Sequence, residues 1–125
     1  MRILIVDDEP NIGIVFRRHL ERLGYTAERG HRIDIAEDGE SCRAQALTPP
    51  APDIIFMDGA FPGGSGPVIV LELRQRGYTT KIVMMSSDAE LNRNGMEAGA
   101  DMIWEEKVTL CKHFNGIFTQ LGLVS

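Results

Sequence analysis

Ile3-Leu4-Ile5-Val6 runs straight into Asp7-Asp8-Glu9, and the same design returns twice further on. Ile54-Ile55-Phe56-Met57 is closed by Asp58, and Ile82-Val83-Met84-Met85 by Ser86-Ser87-Asp88. Short, continuous apolar runs bounded by polar residues are how strands read when both faces of a sheet are covered. His31-Arg32-Ile33-Asp34-Ile35-Ala36 alternates instead, which places it at an edge. Met102-Ile103-Trp104 is a fifth candidate strand.

Helical patterns fill the gaps. From Pro10 to Leu23, Ile12, Val15, Phe16, His19, Leu20 and Leu23 recur at steps of three and four, with Gly24 at the expected C′ position. Asp38 to Leu47 predicts a short helix stopped by Pro49-Pro50. A third helix opens near Ser65-Gly66-Pro67, with Val68, Leu71 and Leu73 as its inward residues. A fourth, Asp88 to Ala98, contains Asn92, Asn94 and Gly95 and so reads as weak and mobile. The last spans Val108 to Leu121, interrupted only by Gly116. Strand and helix thus alternate five times, which defines an α/β fold with a doubly wound parallel sheet.

The chain has 125 residues, enough for one domain, so residues 1–125 are expected to form a single unit. With 13 basic and 18 acidic side chains the net charge is −5, which lacks the basic stripe that nucleic-acid binding requires. No run approaches the length of a membrane span, and the apolar N-terminal run is too short for a signal peptide. Cys42 and Cys111 fit no metal or redox spacing and read as buried fillers in a reducing, cytoplasmic setting. His19, His31 and His113 share no metal-like spacing.

Ligands of such sheets bind beyond the carboxyl ends of the strands. There the sequence sets Asp7-Asp8-Glu9, Asp58, Ser86-Ser87-Asp88 and Glu105-Glu106-Lys107. Two like charges ~4 Å apart at an effective dielectric of ~20 repel by ~4 kcal/mol. Asp7, Asp8 and Asp58 must therefore raise a pKa, splay apart or share a cation. All-oxygen ligands without thiolate or imidazole suit Mg²⁺, and a lysine and a hydroxyl nearby suit phosphoryl oxygens. Asp7-Asp8-Glu9 by itself is more often a helix N-terminal motif before Pro10 than a metal site; it is Asp58 and the surrounding pattern that favour function.

With these residues in place, the chain resembles the receiver domain of bacterial two-component response regulators, over nearly its whole length. The resemblance is carried by ILIVDDEP, PDIIFMD ending at Asp58, FPGGSG, IVMMSS, EAGAD and Lys107, with Pro62 and Gly66 four and eight residues after Asp58. It implies a flavodoxin-like five-stranded sheet of order 2-1-3-4-5 with five helices. It implies further that Asp58 accepts a phosphoryl group from a histidine kinase or histidine phosphotransfer protein. Asp8, Asp58 and the backbone carbonyl of Ala60 would ligate Mg²⁺, with Asp7 acting through a water. Ser86 and Lys107 would contact phosphoryl oxygens, and Ser86 with Trp104 would form the switch. Monomer or weak dimer is the expected state. The chain would be either a stand-alone receiver or the N-terminal domain of a longer regulator.

Three departures from the pattern bear on the site. Val108 stands where the family has proline after its lysine, so a cis bond there would cost ~2.5–4 kcal/mol and a trans bond with a displaced lysine is expected. Counting from Ala98-Gly99-Ala100-Asp101 puts Glu106 at the lysine position, whereas the three-residue step from Trp104 puts Lys107 there; we take Lys107. The connection from Ala27 to His31 is longer than usual and lies away from the acidic cluster. The rival reading is a degenerate receiver that serves only as an interaction module. A phosphatase of the haloacid-dehalogenase type is a distant third, because Ala60 stands where that pattern needs a second aspartate.

Overall fold

The computed structural model describes residues 1–124. Its centre is a five-stranded parallel sheet of order β2-β1-β3-β6-β7, formed by β1 (Arg2–Val6), β2 (Arg32–Ala36), β3 (Ile54–Met57), β6 (Lys81–Met84) and β7 (Met102–Ile103). This is the expected order, with a small antiparallel pair added between the third and fourth sheet strands: β4 (Ala60–Phe61) against β5 (Gly64–Ser65). Around the sheet lie α1 (Pro10–Arg22), α2 (Gly39–Leu47), α3 (Gly66–Gln75), α4 (Ala89–Ala98), α5 (Lys107–Leu110) and α6 (Phe114–Gln120).

The apolar runs are buried on both faces because side chains alternate across the pleat. Leu4, Val6, Ile55, Met57, Ile82 and Met84 meet Cys42 and Ala46 of α2 and Ile69, Val70 and Leu73 of α3. Ile3, Ile5, Ile54, Phe56 and Val83 meet Phe16 and Leu20 of α1, Leu110 of α5, and Phe114, Ile117 and Phe118 of α6. β2 is the half-exposed edge that its alternation predicts.

Several expectations need correction. The inward residues of α3 are Ile69, Val70 and Leu73; Val68 and Leu71 are exposed. The continuous last helix is two helices, α5 and α6, separated by Cys111–His113, so six helices flank the sheet. Phe114 and Phe118 then pack edge-to-face or stacked with Phe16, Phe56 and each other, which orients α6 independently of α5. Cys42 is a buried filler on α2, its thiol pushed up to about 12 by burial, while Cys111 is buried just beyond α5. The long connection holds a short 3₁₀ turn, Ala27–Arg29, that ends on Gly30 at φ +82°.

Candidate functional site

Sheet register brings the polar strand ends together. Val6, Met57, Met84 and Ile103 share one row, so Asp7, Asp58, Met85 and Trp104 occupy the next. That row is still held by backbone hydrogen bonds: Asp7 N donates to Ala36 O, Asp58 N to Val6 O, Met85 N to Met57 O and Trp104 N to Met84 O. The order in which strands are added reverses at β1, with β2 on one side and β3 on the other, so the ends of β1 and β3 that lead into Asp7 and Asp58 flank a switch point, and the crevice there is where these sheets bind ligands.

Asp7 and Asp58 are buried, whereas Asp8 is exposed at the rim. One oxygen from each of the three lies within 4.8 Å of the others. Lys107 Nζ stands 2.7 Å from Asp7 Oδ2 and 3.2 Å from Asp58 Oδ1. Asp7 Oδ1 accepts the Glu9 N–H, organising the turn into α1, while the buried Oδ2 has only the ammonium of Lys107 beside it among the described residues. Burial raises the pKa of Asp58, and the charge of Asp7 raises it further; Lys107 and the Gly59 N–H oppose both. For Lys107, burial works to lower the pKa, but the hydrogen bonds it donates to Asp7 and Asp58 and the charges of both aspartates outweigh it, so its proton is held more firmly than usual.

The donor set suits a hard divalent cation. Three carboxylates face one ammonium, all candidate ligands are oxygens, and a buried carboxylate oxygen lacks a neutral hydrogen-bond donor. Ala60 sits two residues past Asp58 at the start of β4 and is exposed.

The bond between Lys107 and Val108 is trans. Even so, the lysine side chain reaches the carboxylates, because Lys107 is the first residue of α5 and its stem is only partly exposed. Glu106, the other register, is exposed at the N-cap of α5, where its carbonyl accepts the Thr109 and Leu110 N–H groups.

Ser86 is buried at the end of the fourth sheet strand, its Oγ accepting the Asp88 N–H at 3.0 Å. Gly59 lies directly beneath it: a Cβ there would come within 2.8 Å of Ser86 Oγ, so glycine keeps the space between Asp58 and Ser86 open. Gly66 has a similar steric reason, since its Cβ would sit 2.4 Å from the Asp58 carbonyl oxygen. Trp104 is half-buried; its Nε1 donates to Thr109 Oγ1 at 3.0 Å and its ring leans on His113. Sequence reasoning missed Asn92. It appeared there only as a poor helix former, yet it is 1% exposed and bonds both backbone groups of Ser86.

A parallel α/β domain with an aspartate-and-lysine cluster at its switch point is the architecture of a receiver domain. The chain belongs to the response regulator receiver domain family, whose pattern it matches over residues 3–109. It is 36% identical over 101 residues to the transcriptional regulatory protein ResD of Bacillus subtilis, a match that covers 80% of this chain and 39% of that protein. The chain thus spans about two-fifths of the length of the curated relatives it matches. Among solved structures, the response regulator TrrA of Thermotoga maritima, in complex with Mg²⁺-BeF, superposes with a TM-score of 0.77 at 26% identity, covering 94% of this chain and 96% of that one. A two-component response regulator from Clostridium difficile shares the fold with a TM-score of 0.78 at 22% identity, over 97% and 95% of the two chains. No helix among the described residues is long and apolar enough to cross a membrane.

Proposed function

We propose that residues 1–125 act as a single receiver domain that takes a phosphoryl group from a phosphohistidine of a histidine kinase or phosphotransfer protein onto Asp58, with Mg²⁺. The observation that carries this reading is the placement of Lys107 between Asp7 and Asp58, beside a third carboxylate. Asp8, Asp58 and the Ala60 carbonyl would hold the ion directly, and Asp7 through a water. Bound there, Mg²⁺ would neutralise charge on the transferring group.

The chain's own residues supply positioning and charge. A carboxylate oxygen of Asp58 forms the new O–P bond while the P–N bond to the donor imidazole breaks, its electron pair returning to the ring nitrogen. Asp58 must be ionised for this attack, and Lys107 supports that form despite the burial. The ammonium then donates to a phosphoryl oxygen; such fixed charges dominate catalysis when the transition state is loose. The Ser86 hydroxyl accepts from Asp88 N–H, which leaves its own proton free for another phosphoryl oxygen. The product adds ~1.5–2 negative charges beside Ser86. Drawing Ser86 toward it would open space for Trp104, whose release costs the bond to Thr109.

The rival, a receiver that binds partners without phosphorylation, rests on Glu106, on the Gly-rich loop from Gly59 to Gly64 and on the missing proline after Lys107. With the lysine 2.7 Å from Asp7 across a trans bond, the last of these arguments loses its force. Intact-mass spectrometry after incubation with acetyl phosphate tests the proposal. A single Mg²⁺-dependent phosphoryl adduct, absent from Asp58→Asn, is expected. A folded wild type that takes up nothing from acetyl phosphate or from a purified cognate kinase would overturn it.

A further inference from the structure

The backbone of Ser86 lies beyond the sheet, and both its polar groups are buried. Neither is paired with a neighbouring strand. Its N–H donates to Asn92 Oδ1 at 3.1 Å, and its C=O accepts from Asn92 Nδ2 at 2.7 Å. One carboxamide from the first half of α4 therefore closes both orphaned groups, a match that the paired donor and acceptor of an amide can supply. Asp88 completes the unit: its N–H binds Ser86 Oγ, and its Oδ1 caps α4 through the N–H groups of Glu90 and Leu91.

The two ends of α4 are held differently. The far end is fixed to α3, where Arg74 Nε donates to the Gly99 carbonyl and the same guanidinium reaches Tyr78 O, Thr80 O and Asp101. Gly99 itself has φ +121° and closes the helix. Along its inner face Gly95 rides against Met84, closely enough that a Cβ would meet the Met84 sulfur at 2.6 Å. No Cβ projects from α4 at that point, whereas the far end is tied by the Arg74 bonds.

Building on the phosphoryl-transfer reading above, we propose that Asn92 is the positioning residue that couples Ser86 to α4. A movement of Ser86 toward the phosphoryl group carries the amide with it and tilts α4 about its Gly99 end. Breaking the clamp instead would strand two buried backbone groups, an outcome that costs more than moving the helix. The asparagine in an otherwise poor helix thus makes α4 a follower of the strand end. Asn92 touches neither phosphoryl group nor metal ligand, so it acts on the response and not on the chemistry.

The test compares wild type with Asn92→Leu, which keeps the side-chain bulk and removes both bonds. Each is incubated with acetyl phosphate and Mg²⁺, the adduct on Asp58 is quantified by intact mass, and amide hydrogen exchange of residues 89–98 is measured with and without phosphorylation. Wild type is expected to change its α4 exchange by about tenfold on phosphorylation, and Asn92→Leu by less than about twofold, at matched adduct yield. Should Asn92→Leu fail to fold by circular dichroism, Asn92→Asp keeps the acceptor without the donor and is expected to give a partial response. Equal responses in variant and wild type overturn the coupling, and so does a wild type that carries the adduct without any change in α4. Loss of the adduct in the variant overturns it too, since it would place Asn92 in the chemistry. Absence of the adduct from wild type instead strikes the phosphoryl-transfer reading itself, and the clamp's coupling role falls with it.

Discussion

The fold disfavours the charge of Asp58. Burial and the neighbouring charge of Asp7 raise its pKa from the ordinary aspartate value, against the pull of Lys107 and the Gly59 N–H. A carboxylate whose folded pKa lies above its unfolded value destabilises the fold once ionised, so stability falls as pH rises from about 4 through the folded value. Without divalent cation, Asp58→Asn is therefore expected to be more stable than wild type at pH 7, by about 1 kcal/mol, with the gap closing toward pH 4. Urea unfolding across that range reads the sign directly; a less stable variant would mean that Lys107 dominates. Asp8 makes the complementary case, because it is exposed at the rim. Asp8→Ala should leave stability without metal within about 0.5 kcal/mol of wild type. It should abolish the gain of ~2.7 kcal/mol expected of wild type when Mg²⁺ stands at a hundred times its Kd. Thermal melts with and without Mg²⁺ separate the two effects.

Two glycines, one at the start of α2 and one inside α6, predict opposite outcomes. Gly39 opens α2 with its N–H on the Pro62 carbonyl, and a Cβ there would lie 2.2 Å from the Gly63 carbonyl oxygen. Backbone cannot yield as a side chain can, so Gly39→Ala is expected to cost about 1–3 kcal/mol. Gly116, inside α6, has no heavy atom near the position of a Cβ. Gly116→Ala should accordingly stabilise by about 0.5–1 kcal/mol, through helix propensity and a less flexible unfolded chain. Urea midpoints check both signs. The same scale shows what the sequence could convey. Continuous apolar runs announced three of the five sheet strands and alternation the edge strand, and Asp7, Asp8, Asp58 and Lys107 were visible because each follows a strand or starts the helix beyond one. The β4–β5 pair was not legible, since two-residue strands around Pro62-Gly63 carry no periodicity. The inner face of α3 was misread because Val68 and Leu71 are apolar yet exposed, and pattern cannot tell which of two overlapping apolar faces a sheet will cover. Asn92 was hidden for a deeper reason: a residue chosen for a tertiary hydrogen bond looks, locally, like a defect.

At the scale of the molecule, the sheet divides the interior into two cores that share the same strands, so neither can be lost alone. The C-terminal end is where independence would be easiest, because α6 has seven residues and follows a break in the helix. Helices that short are not stable by themselves in water and persist through packing. Here the packing is aromatic: Phe118 lies against Phe56 of the central strand β3, against Tyr25 after α1, and stacked on Phe114. Phe118→Ala should cost about 3–5 kcal/mol, a large share of the 5–15 kcal/mol typical of a domain. If residues 1–125 form one cooperative unit, that loss must appear as a single transition at lower urea. Trp104 fluorescence, which reports the site end of the sheet, and far-ultraviolet circular dichroism, which reports all helices, should then coincide. A variant whose dichroism falls before its fluorescence would show α6 detaching from an intact sheet, and the chain would have to be described as a receiver core carrying a separable C-terminal helix.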